Sequence, residues 1–84
     1  MDSSAARGPV LDADSETVRF NVFVDGRIVR CMASREFLEI KFGAGRDPES
    51  WLTACTANMK AIVGIAVDQY RADLQSPVLL HAEN

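Results

Sequence analysis

An α+β domain is what this chain predicts, on three observations. Two alternating apolar runs flank Asp25-Gly26, two stretches of helical periodicity follow, and a short apolar run closes the chain. The expected order is β-β-α-α-β: a β-hairpin over 17–32, a short helix over 34–42, a long helix over 48–74 and a final strand over 77–82. Such an order gives a three-stranded, mainly antiparallel sheet with helices on one face.

The hairpin is the best-specified part. Asp25-Gly26 suits a two-residue turn whose central positions need positive φ. That turn sets Val24 against Arg27, Val22 against Val29 and Phe20 against Cys31. With Val18 these residues make an almost wholly apolar face, which the helices should cover. The opposite face carries Arg19, Asn21, Phe23, Ile28, Arg30 and Met32.

Ser34 caps the short helix, Glu36 complements its N-terminus, and Gly43 supplies a left-handed residue at its end. Phe37, Leu38 and Phe42 are its core side chains. The long helix starts at Asp47-Pro48-Glu49, with a cap, a proline suited to the first helical position and an acid in the first turn. Trp51, Leu52, Cys55, Met59, Ile62, Val63, Ala66, Val67, Tyr70 and Leu74 recur at steps of three and four along one face. Gln75-Ser76-Pro77 stops it, since proline disfavours a helical residue before it. Its length would be about 40 Å at about 1.5 Å per residue. Behind the apolar face lie Ala54, Ala57, Ala61, Gly64 and Ile65, small enough to admit a second backbone. In the last strand Val78, Leu80 and Ala82 alternate with Leu79 and His81, and Pro77 stands at its start. The partner strand is left open.

Of 84 residues, 48% are hydrophobic and 25% charged, an ordinary globular balance for one domain. The net charge of −3 resides in residues 1–16, where Asp2, Asp12, Asp14 and Glu16 oppose Arg7. Residues 17–84 hold eight acids and eight bases. The expectation is a flexible acidic leader over 1–16 and one domain over 17–84, with Val10-Leu11 able to dock on it. A neutral domain lacks the concentrated positive surface of strong nucleic-acid binders. No apolar run reaches the length of a membrane span, and the N-terminus lacks the pattern of a signal peptide. The expected location is cytoplasmic, with reduced thiols.

Sites of chemistry are sparse. The two cysteines, Cys31 and Cys55, fit no zinc or thioredoxin spacing and are expected in the core as inert apolar groups. His81, the single histidine, stands in an apolar strand with no group to orient it as a base. Glu36 and Glu49 are explained as helix-terminal acids, and Glu39 finds no partner acid across a cleft. Asp12-Asp14-Glu16 resembles a calcium loop only at its start, without the glycine bend or the closing glutamate. No catalytic residue, metal or cofactor is therefore assigned.

The surface that stands out is the outer sheet face. Phe23 and Ile28 oppose one another near the turn, and Met32 extends the apolar area, with Leu79 if the last strand pairs in the matching sense. This composition suggests a protein–protein interaction or regulatory module, self-associating as a homodimer or binding another protein. The alanine-rich helix back is the secondary candidate surface. A weak single-stranded nucleic-acid binder using Phe23, Arg19 and Arg30 is the alternative, and a thiol-dependent enzyme the second.

The run Val18-Arg19-Phe20, Asp25-Gly26, Cys31, Ser34-Arg35-Glu36, Leu38 and Phe42-Gly43 resembles the domain-of-unknown-function family numbered fourteen eighty-eight. The likeness extends over the long helix with Ala66 and Tyr70, from about Val18 to His81. It implies a stand-alone domain of short proteobacterial proteins with no established activity, and it brings no catalytic residues.

Overall fold

The computed structural model describes residues 8–82, so the first part of the expected acidic leader lies outside the described residues. Strands β1 (Val10–Asp12), β2 (Thr17–Val24) and β3 (Arg27–Ser34) come first. Helices α1 (Arg35–Phe42), α2 (Pro48–Ala57) and α3 (Met59–Asp73) follow, and β4 (Val78–Leu80) closes the chain. The class is α+β, with a four-stranded sheet in the order β1-β2-β3-β4.

The hairpin has the register that its turn demands: Val24 faces Arg27, Val22 faces Val29 and Phe20 faces Cys31. Asp25 and Gly26 take φ of 53° and 82°, the positive values that a two-residue hairpin turn needs. Along β2 burial alternates strictly, with Val18, Phe20, Val22 and Val24 inside. The inner face packs on Phe37 and Leu38 of α1, Trp51 and Cys55 of α2, and Ile62 and Ala66 of α3. No polar side chain is buried among the described residues.

Two expectations are corrected, and the seat that the sequence leaves open for the last strand is filled. The sheet has four strands because Val10–Asp12, placed by the sequence in the leader, pairs antiparallel with Thr17–Arg19 as an edge strand. The final strand joins β3, and it does so in parallel, with Val78 beside Cys31 and Leu80 beside Ala33. The single long helix is two helices, bent by 83° at Asn58. A straight rod of about 40 Å would overrun a molecule whose longest extent is 35 Å. Asn58 makes the break by leaving helical φ/ψ (−115°, 24°). Both its amide N–H and its side-chain Nδ2 donate to the Ala54 carbonyl, at 3.1 and 2.8 Å. Asparagine competes in this way with the helical ladder and so favours helix ends.

The bend keeps the expected inner stripe on the core, with Trp51, Cys55, Ile62 and Ala66 buried and Met59, Val63, Val67 and Tyr70 packed against them. Leu74 departs from the stripe. It ends α3 at φ 54° and is 72% exposed. The remaining start and stop signals are used as read. Ser34 Oγ accepts from Phe37 N, Asp47 accepts from Ser50 N, and Gly43 stands in the left-handed region.

Candidate functional site: the outer face of the sheet

Directly opposed residues in neighbouring strands point to the same side, so the register assembles the outer face row by row. Nearest the hairpin turn is Phe23 with Ile28, then Asn21 with Arg30. The next row crosses all four strands, from Val10 through Arg19 and Met32 to Leu79. Phe23 is 56% exposed, Ile28 60%, Val10 53% and Leu79 43%, while Met32 is half-buried. All six residues singled out in the sequence thus share one face, in three adjacent rows.

Two residues enlarge that face beyond the hairpin. Leu79 joins it because the parallel register sets it beside Met32. Val10 was hidden in the leader, where Val10-Leu11-Asp12 is too short for alternation to announce a strand. Val10, Asp12, Arg19, Asn21, Arg30 and Met32 border a depression of about 740 Å³. It also reaches Phe20, Cys31, Met59 and Val63 of the inner layers. Arg19 stands 3.9 Å from the Asp12 carboxylate, whereas Arg30 enters no ion pair among the described residues. The face therefore couples exposed apolar side chains to a free guanidinium.

The secondary candidate surface is divided by the bend. Ala54 and Ala57 belong to α2, and Ala61, Gly64 and Ile65 to α3, whose axes differ by 83°. Ala57, Ala61 and Gly64 are exposed, and a Cβ added at Gly64 would meet no atom within 4 Å.

Cys31 and Cys55 are both free and buried in the core. Cys31 Sγ lies 3.6 Å from the Val29 carbonyl, and Cys55 Sγ lies 4.0 Å from Met59 Sδ. Burial pushes both thiols up to about 11. A protonated, covered thiol is a poor nucleophile. His81 is exposed beyond β4, where it borders a small pocket of about 170 Å³ with Gln69 and Asp73. Glu36 and Glu49 lie in the first turns of α1 and α2, and Glu39 pairs with Arg35 at 3.3 Å. No group of three His, Cys, Asp or Glu residues among those described could hold a metal ion. No single helix among the described residues is long and apolar enough to cross a membrane. The bent pair α2–α3 reaches that length and composition only together.

Fold and face define a small α+β domain with a half-apolar, arginine-bearing sheet surface. The chain belongs to the family described as protein of unknown function (DUF1488), whose model matches residues 5–80. Neither the curated proteins nor the solved structures compared with it give a match.

Proposed function

We propose that this protein is a cytoplasmic interaction or regulatory module without catalysis, and that it works by binding another protein through the outer face of its sheet. The observation that carries this reading is the composition of that face. Phe23, Ile28, Val10 and Leu79 are exposed around Arg19, Asn21 and Arg30. Aromatic residues, methionine and arginine are the residues that protein interfaces favour. The fold has no use for them there, since the core is complete on the other side of the sheet. Two buried, protonated thiols also favour a binding role over thiol chemistry.

A photo-crosslinking side chain at position 23 or 28, compared with one at the exposed Lys60 of α3, tests the proposal in the cells that make the protein. The expected result is a discrete cross-linked protein from positions 23 and 28, lost when the other member of the pair becomes aspartate, and none from position 60. Equal products from all three positions, or none, would overturn it. The mass of the cross-linked species separates a second copy of this chain from a different protein.

A further inference from the structure

The outer face adjoins an edge of the sheet that is only partly paired among the described residues. In a hairpin with a two-residue turn, the residues flanking the turn exchange both hydrogen bonds, here Val24 and Arg27. Along β2 the N–H and C=O groups of Val24, Val22, Phe20 and Val18 therefore point to β3. Those of Phe23, Asn21, Arg19 and Thr17 point to the opposite side. Strand β1 takes the last two, through Asp12–Thr17 and Val10–Arg19. It ends there, with Pro9, which has no N–H, and Gly8 at φ 63°, which breaks the extended line. Asn21 and Phe23 are left with their backbone groups facing outward and no strand beside them among the described residues. The other edge is managed differently, for Gln69 Nε2 donates to the Leu79 carbonyl of β4 at 2.9 Å. Side-chain cover of this kind is how sheets close an edge.

Resting on the interface reading above, we propose that an extended segment of a partner protein adds to β2 as a further strand beside Asn21 and Phe23. Its outward side chains would then lie on the outer face, an apolar one against Phe23 and an acidic one reaching over Asn21 to Arg30. The charges select this occupant: among the described residues Arg30 pairs with no acid, and Arg19 pairs with Asp12. A second copy of the chain fits less well. Its own β2, laid antiparallel across Asn21 and Phe23, would bring its hairpin turn against Pro9, next to Val10 on the same edge. Strand addition needs only a short extended backbone, with affinity from main-chain hydrogen bonds and selectivity from alternate side chains.

The test uses the full chain and short peptides selected on it from a random display library. Enriched peptides should carry an apolar residue and an Asp or Glu two positions apart, so that both fall on the outer face. Binding one of them should protect the amides of Asn21 and Phe23 from hydrogen exchange, which in the free protein exchange faster than those of Phe20 and Val22. Asn21→Pro removes an outward N–H and leaves the β3 ladder whole, a position where an edge strand tolerates proline. It should weaken the peptide by about tenfold or more, whereas Asn21→Ala, which keeps the N–H, should stay within about twofold. Circular dichroism reports whether Asn21→Pro folds; if it does not, the exchange pattern of the wild-type complex decides. No enriched peptide, no protection at Asn21 and Phe23, or a dimer of the chain closed through this edge would each overturn strand addition. Cross-linking at position 23 that survives Asn21→Pro would retain the face as an interface and remove the added strand. A wild-type cross-link that Asn21→Pro abolishes supports the added strand, and absence of both cross-link and bound peptide in the wild type would remove both readings.

Discussion

The indole Nε1 of Trp51 donates to the backbone carbonyl of Gly45 across 3.0 Å. This bond joins the loop after α1 to the helix that follows it, and Trp51 is otherwise sealed, at 3% exposure, with the Arg35 guanidinium 6.0 Å from its ring centre. Trp51→Phe keeps most of the apolar volume and removes the donor. Its expected cost is about 1–2 kcal/mol, measured by chemical denaturation followed by circular dichroism, because the substitution also removes the single tryptophan.

Ser34 ends β3 and caps α1, its Oγ accepting from the Phe37 amide at 3.1 Å. Ser34→Ala should cost about 1 kcal/mol, and Ser34→Asp should recover most of it, since aspartate caps as well as serine. Equal stability of all three proteins in a urea titration would deny the cap any weight.

Leu74 and Gly64 each occupy a site suited to the other's kind of backbone. Leu74 is exposed and held at φ 54°, while Gly64 lies inside α3 with open space at its Cβ position. Leu74→Gly and Gly64→Ala are each expected to raise stability by about 0.5–1 kcal/mol. Thermal melts of the two single variants and the double variant check this. Non-additive gains would show that the interior and the C-terminal end of α3 are coupled.

The thiols make the fold sensitive to alkali. Burial raises Cys31 and Cys55 from 9.0 to about 11 in the folded protein. Above the ordinary value the unfolded chain releases these protons first. Stability is therefore at its full value below pH 9.0 and falls as pH rises towards about 11. Replacing both cysteines by alanine should flatten that part of the pH–stability curve, though it lowers stability at neutral pH through lost packing. In the native wild type, alkylation by iodoacetamide should be slowed in proportion to the small fraction of molecules that are open.

Local chemistry was legible in this sequence, and long-range choices were not. Asp25-Gly26 determined eight paired positions of the hairpin because turn type and alternation point to the same register. Ser34, Gly43 and Asp47 announced three helix ends for equally local reasons. Asn58 carried a signal too, since asparagine inside an apolar helical pattern competes for backbone hydrogen bonds. The unbroken three–four spacing on both sides concealed it. The apolar stripe survives the bend because each helix, taken alone, keeps its own periodicity. Val10–Asp12 was too short to read, and the parallel seat of β4 depends on the path of three helices that no local motif encodes. The outer face was visible as one surface of the hairpin, and it lacked only the two residues supplied by the strands on either side.

The parallel seat of β4 also bears on the order in which the molecule is made. Cys31 and Val78 are neighbours across two strands but stand 47 positions apart in the chain, whereas the hairpin pairs residues close in sequence. Closing so long a loop costs chain entropy before it returns any contact. The hairpin and α1 should therefore assemble early and the three residues of β4 should dock last. Pulse-labelling hydrogen exchange during refolding should protect Val22 before Leu80, and the newly made chain would complete its sheet only once β4 has been synthesised.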